Sequence, residues 1–207
     1  LVYIIVNYLI MPLLAHLIGL ICFSSHSDIA SGFDLLRAIP TGVVSAIWIS
    51  ILSGSLSAGI TILILDTLLS PLLTPFLLQL YTGENISLDF FGMMKSLFFM
   101  VLLPSLLAII FNHFYKDKIE KEWGPISNPL SKILLFLVIA INTSKVSYSL
   151  KQNLSLSYVW IFVTSLFISA IAFPIGYYIS RIFRLKREEI ISTTIAISTR
   201  NVSAALV

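Results

Sequence analysis

Charge is what this chain has least of. Asp, Glu, Lys and Arg together make up 11% of its 207 residues, against about 25% in a soluble globular domain. So little polar surface excludes a fold coated by water. Cysteine is nearly absent as well, Cys22 being the single one, which excludes an internal disulfide and any multi-cysteine metal centre. A large excess of one sign is missing too. The formal net charge is +3, and the basic residues fall in loops between apolar runs, so nothing points to nucleic acid. What the chain does have is apolar residues, 57% of the total, with a mean hydropathy of +0.98. The runs have the roughly 20-residue length of membrane-crossing helices, not the roughly 10-residue alternation of an outer-membrane barrel. The expectation is an all-α, multi-pass integral membrane protein, with the lipid bilayer as partner and a bacterial-type cell membrane as location.

Spans are expected at about 2–22, 35–52, 56–80, 93–113, 130–143 and 157–180, with a further apolar segment from about 190. Leu1 and Val207 both lie inside apolar runs, so the chain reads as an internal fragment, incomplete at both ends. Lysine and arginine set the orientation. Lys116, Lys118 and Lys121 crowd one loop, and Arg181, Arg184, Lys186 and Arg187 another two spans later. The loops near 25–34 and 83–89 hold Asp28, Asp34, Glu84 and Asp89 and no basic residue. The basic loops are therefore cytoplasmic, and the first span runs from inside to outside.

Two spans are interrupted by small and polar residues: "PTGVVSA" at 40–46 and "AISTRNVSA" at 196–204. Pro40 removes a helical hydrogen bond and Gly42 relaxes the backbone beside it. A pair of interrupted helices points to the binding site of a secondary transporter, where unwound backbone lines a cavity. Segments 40–46 and 197–201 should be non-helical and should meet near mid-membrane. Two other classes compete. A sensor or scaffold would keep the fold without transport. An intramembrane enzyme would need a second acid beside Asp66, or a metal-binding motif such as HExxH, and neither is found within the spans.

These segments, with "NYLIMPLLA" in the first span and "LSGSLSAGITILILDTLLSPLLTP" after the first interruption, resemble the bile acid:sodium symporter family. Its corresponding patterns are P-G-G-T-A-S-N, Q-F-x-I-M-P and E-x-G-M-Q-N-x-x-L-A. The resemblance implies an inverted-repeat fold in which two broken helices cross inside a core domain and a panel domain moves against it. Residues 1–82 would be the first core repeat, 93–145 panel spans, and 157–207 a truncated second core repeat. It also implies a secondary transporter of a small organic anion, working by alternating access.

The departures from those patterns bear on the coupling ion. Ser45 and Asn201 keep the family's residues, and Asn7 replaces a glutamine. Ala46, Gly59, Leu63 and Ala196 stand where the family has sodium ligands, and Arg200 stands where it has glutamine. A cation held by few oxygens beside a guanidinium is disfavoured by about 4 kcal/mol at about 4 Å and a dielectric of 20. Sodium is therefore not expected to be held as a metal site, no other cofactor is implied, and proton coupling is the alternative. Asp66 is the one acid within the expected spans and the expected neighbour of Arg200, either as counter-ion or as proton carrier. The candidate substrate- and ion-binding set is Asn7, Ser45, Asp66, Ser198, Thr199, Arg200 and Asn201, with no catalytic residue. His16 reads as a packed helix residue, and Arg37 as a side chain snorkelling to the outer surface.

Overall fold

A helix that carries a proline in its interior must break its own ladder, and this chain does so repeatedly. The computed structural model describes residues 1–24, 26–42, 44–82, 89–127 and 156–201, with scattered positions between 129 and 144. Among the described residues every regular element is helical. Helix α1 (Val2–Cys22) crosses Pro12 by widening one turn, Val6–Ile10, into a π-helix. There the amide of Met11 reaches back five residues to the carbonyl of Val6. Pro12 has no N–H for the carbonyl of Tyr8, and such bulges commonly absorb the mismatch.

Helix α2 (Ser27–Ala38) follows, and then α3 (Val44–Ile51), with residues 39–42 non-helical between them. Ile39 is extended at φ −66° and ψ 150°, as the residue before a proline is obliged to be. The span expected from residue 35 therefore begins eight residues earlier, at Ser27. Asp34, expected in an outer loop, lies inside α2 and is buried. Asp66 is thus not alone as a buried acid.

Helix α4 (Leu56–Thr82) turns the soluble pattern inside out. Leu68, Leu72, Phe76 and Leu80 form an exposed stripe, while Asp66, Ser70, Thr74 and Leu78 are buried on the other side. Four-residue spacing keeps each stripe on one face. In a bilayer the apolar stripe faces lipid and polar side chains must find partners within the protein. Those partners are identifiable. Pro71 cannot donate to the carbonyl of Thr67, and the Ser70 hydroxyl does so instead at 3.1 Å. The Thr74 hydroxyl donates to the carbonyl of Ala38 at 2.7 Å, capping the broken end of α2.

Helix α5 (Phe90–Leu97) starts at Asp89, whose carboxylate accepts from the amide of Gly92. It continues through a π-helical turn, Phe98–Leu102, into α6 (Leu103–Lys118), which kinks at Tyr115. Helix α7 (Leu156–Ile182) and α8 (Arg187–Ser198) close the described chain. Glu189 reaches back to the amide of Lys186 at 2.9 Å to start α8. Among the described residues, helices α1, α4 and α7 contain the three stretches long and apolar enough to cross a membrane. The span expected at about 130–143 lies partly, and the segment 202–207 wholly, outside the described residues.

The chain divides into two compact units, Leu1–Leu103 with Ile161–Val207, and Pro104–Trp160. In the first, Val6, Met11, Ala38, Ala196 and Ile197 share one buried cluster, so the ends of α2 and α8 pack on the π-helical part of α1. The turn after α3 docks on α8. The amide of Ser55 donates to the carbonyl of Glu188 at 3.0 Å, and the Ser192 hydroxyl donates to the carbonyl of Ser55 at 2.8 Å.

Candidate functional site at the helix crossing

Both broken segments stop being helical at the same place. Helix α8 ends at Ser198, and Thr199 is extended at φ −103° and ψ 135°. The amide of Asn201 donates to the carbonyl of Pro40 at 2.9 Å, so the two unwound segments satisfy each other. The contact is close enough to explain Gly42. A Cβ on that residue would meet the carbonyl oxygen of Arg200 at 3.0 Å and its carbon at 3.2 Å. Thr41 ties the crossing from the other side. Its hydroxyl lies within hydrogen-bond reach of the carbonyl of Ala196 and of Thr199, the latter at 2.8 Å.

Arg200 lies over the two helix ends. Its guanidinium donates to the carbonyl of Ile197 in the last turn of α8 at 3.0 Å. It also donates to the carbonyl of Ile39, just past α2, at 3.3 Å. The C-terminal end of a helix carries roughly half a negative charge, so two such ends form a place for a cation, and Arg200 fills it.

Asp66 is expected within direct or one-water reach of Arg200; among the described residues no direct ion pair joins them. The Asn7 side chain spans the gap. Its carbonyl oxygen accepts from the Arg200 guanidinium, and its amide nitrogen donates to Asp66 Oδ1 at 3.4 Å. An amide has a donor and an acceptor and can face both charges, which a hydrocarbon of the same size cannot. Tyr8 adds its hydroxyl to Asp66 Oδ1 at 2.5 Å, and the amide of Thr41 donates to Oδ2. Asp66 is 1% exposed and meets three donors from two other elements. Asn7 and Tyr8 are consecutive, yet both reach it. They sit in the widened turn, where neighbouring side chains diverge less than in an α-helix.

The other expected site residues have local partners. The hydroxyls of Ser198 and Thr199 both bond back four residues, to the carbonyls of Thr194 and Ile195, at 2.8 Å each. Ser45 Oγ is buried without a partner among the described residues. One turn later on the same face of α3, Ile49 is fully buried against α4, and a Cβ on Gly59 would stand 2.6 Å from its Cδ1. Thr41 and Tyr8 were missed in the sequence. The signal for Thr41 was a hydroxyl directly after the helix-breaking Pro40. For Tyr8 it was a tyrosine next to Asn7 in a turn ahead of Pro12. Arg37 is a correction. It is 1% exposed and donates to the carbonyl of Ile168 at 3.0 Å, so it does not reach the outer surface.

A model of the sodium bile acid symporter family matches residues 1–153. The chain belongs to the sodium bile acid symporter family. It is 34% identical to the uncharacterized protein YbaS of Bacillus subtilis, over 98% of this chain and 66% of that protein. It is 26% identical to the probable sodium/metabolite cotransporter BASS3, chloroplastic, of Arabidopsis thaliana, over 97% of this chain and 45% of that protein. The uncharacterized sodium-dependent transporter YocS of Bacillus subtilis is 25% identical, over 98% of this chain and 62% of its own length. The chain thus spans between roughly half and two thirds of the length of these relatives. Two of these relatives are thus named as a cotransporter and a transporter.

Proposed function

We propose that this chain is the central part of a secondary transporter that moves a small organic anion across a bacterial plasma membrane by alternating access. The two broken helices would belong to inverted repeats of one core domain. Substrate would bind where unwound backbone and half-helix ends meet, as in transporters built this way. Helix α3 starts at the crossing with Val44, and the positive end of a helix favours an anion.

Within that reading, sodium is not the coupling ion. The observation that carries this is Arg200, whose guanidinium takes the carbonyls at the ends of both α2 and α8. Those carbonyls are the oxygens a cation would need, and a fixed positive charge already uses them. The packing agrees. Ile49 fills the space beside Gly59 where a hydroxyl ligand would stand, and Ala46, Leu63 and Ala196 bring no side-chain oxygen. Ser45 Oγ alone does not make a coordination shell for a hard cation, which takes several oxygens.

Counterflow in proteoliposomes tests the transport reading. Vesicles preloaded with an unlabelled organic acid should accumulate its labelled form transiently, without any ion gradient. A protein that keeps the fold as a sensor would bind the acid and give no counterflow.

A further inference from the structure

A second buried polar group lies nine residues along α1 from Asn7 and plays no part in the crossing. His16 Nδ1 is 3.1 and 3.2 Å from the two oxygens of Asp34. Asp34 is 2% exposed and the His16 side chain 20%. The Tyr81 ring lies against the imidazole with centroids 4.9 Å apart. Neighbouring Ala15 packs with Phe33 and Ile168 in an apolar cluster. We infer that the His16–Asp34 pair is the proton-binding site that couples transport, an inference resting on the transporter reading above.

Three observations support it. Asp66, the other buried carboxylate among the described residues, already accepts from three donors, which engage three of its roughly four lone-pair positions and favour its ionised form. His16 differs, because Nδ1 faces a carboxylate and so carries its hydrogen in the neutral ring. Nε2 is then the lone pair that takes a proton, giving an imidazolium–carboxylate pair. Histidine is the side chain that gains and loses charge across the physiological range. Among the described residues the titratable groups facing it are Asp34 from α2 and Tyr81 from α4. Arg37, also on α2, is committed to the carbonyl of Ile168, and Asp28 and His26 at the start of α2 are exposed.

Charge balance supplies the third. Arg37, Arg200, Asp34 and Asp66 sum to zero when His16 is neutral. A proton on His16 leaves one uncompensated positive charge in the core, and a monoanion at the crossing removes it. Proton and monoanion therefore favour each other, one for one. Nine residues of helix place His16 about 14 Å from Asn7. At a dielectric of about 20, opposite charges at that distance strengthen each other's binding roughly sevenfold, and the effect is reciprocal. By the distribution of basic loops His16 lies on the outer side of the crossing, where a proton gradient delivers protons.

The test uses the full-length protein in proteoliposomes with radiolabelled lactate, 2-oxobutyrate, benzoate and cholate, without sodium. For whichever acid gives counterflow, an acid-outside pH gradient should drive wild-type accumulation above equilibrium. His16→Gln and Asp34→Asn should keep counterflow and lose that accumulation. Undiminished pH-driven accumulation by His16→Gln overturns the inference while leaving the transporter reading intact. Absence of counterflow by wild type with all four acids overturns both. Because either variant can fail to fold, a measurement on the wild type decides independently. Binding of the acid in weakly buffered detergent solution should take up about one proton per anion, seen with a pH indicator. No proton uptake on binding also overturns the inference.

Discussion

Asn7 is the residue on which two charges depend. It accepts from Arg200 and donates to Asp66 while itself fully buried. Leucine at this position keeps the volume and removes both bonds. We expect Asn7→Leu to cost about 1–3 kcal/mol, towards the upper end because both orphaned partners are charged. Thermal unfolding of the detergent-solubilised protein measures it, and no loss of stability would mean that the bridge contributes nothing. Asp66→Asn and Arg200→Gln each leave the opposite charge uncompensated, which costs about 3–5 kcal/mol when burial is complete. The double substitution should recover folding yield more than transport, since neutralising both charges restores the balance without restoring the site. Single variants that both fold and transport as wild type would contradict this. Arg200 was legible in the sequence because a charge in an apolar run is conspicuous. The Asn7 bridge was not, because a side-chain amide is too common to signal that it joins two charges fifty-nine and 193 residues away.

At the scale of the element, the breaks in the helices were legible and their boundaries less so. Pro40 and Gly42 located the first crossing, since a proline and a glycine in a membrane span leave backbone groups that need partners. The start of α2 at Ser27 was hidden, because "SSHSDIASGFD" is polar and reads as a loop by composition. Its helix forms because Ala30 and Phe33 bury a face and Asp34 meets His16, a pairing across eighteen residues that no local pattern announces. The buried stripe of Asp66, Ser70 and Thr74 was likewise present as four-residue spacing, but Asp66 alone drew notice because it is charged. Two glycines give a paired test of the crossing. Gly42→Ala drives a methyl group into the backbone of Arg200 and should destabilise by about 1–3 kcal/mol. Gly32→Ala, inside α2 with no atom of the described residues within 4 Å of the added one, should instead stabilise by about 0.5–1 kcal/mol through the lost freedom of the unfolded chain. Thermal shifts of equal sign for the two would show that the close approach at Gly42 is unimportant.

For the whole molecule, membrane embedding and family were legible from composition and from three motifs in order. The proposal that sodium is not the coupling ion began from absences at Ala46, Gly59, Leu63 and Ala196, and the fold adds two observations that support it: Ile49 beside Gly59, and Arg200 at the ends of two helices. In the proposed transporter a fixed guanidinium has replaced sodium at the crossing. Counterflow of an accepted organic acid, measured in proteoliposomes while sodium is exchanged for potassium at constant ionic strength, tests that claim most directly. The predicted result is the same rate throughout the titration, because no step needs sodium. A steep, sigmoidal rise of the rate with sodium would contradict it.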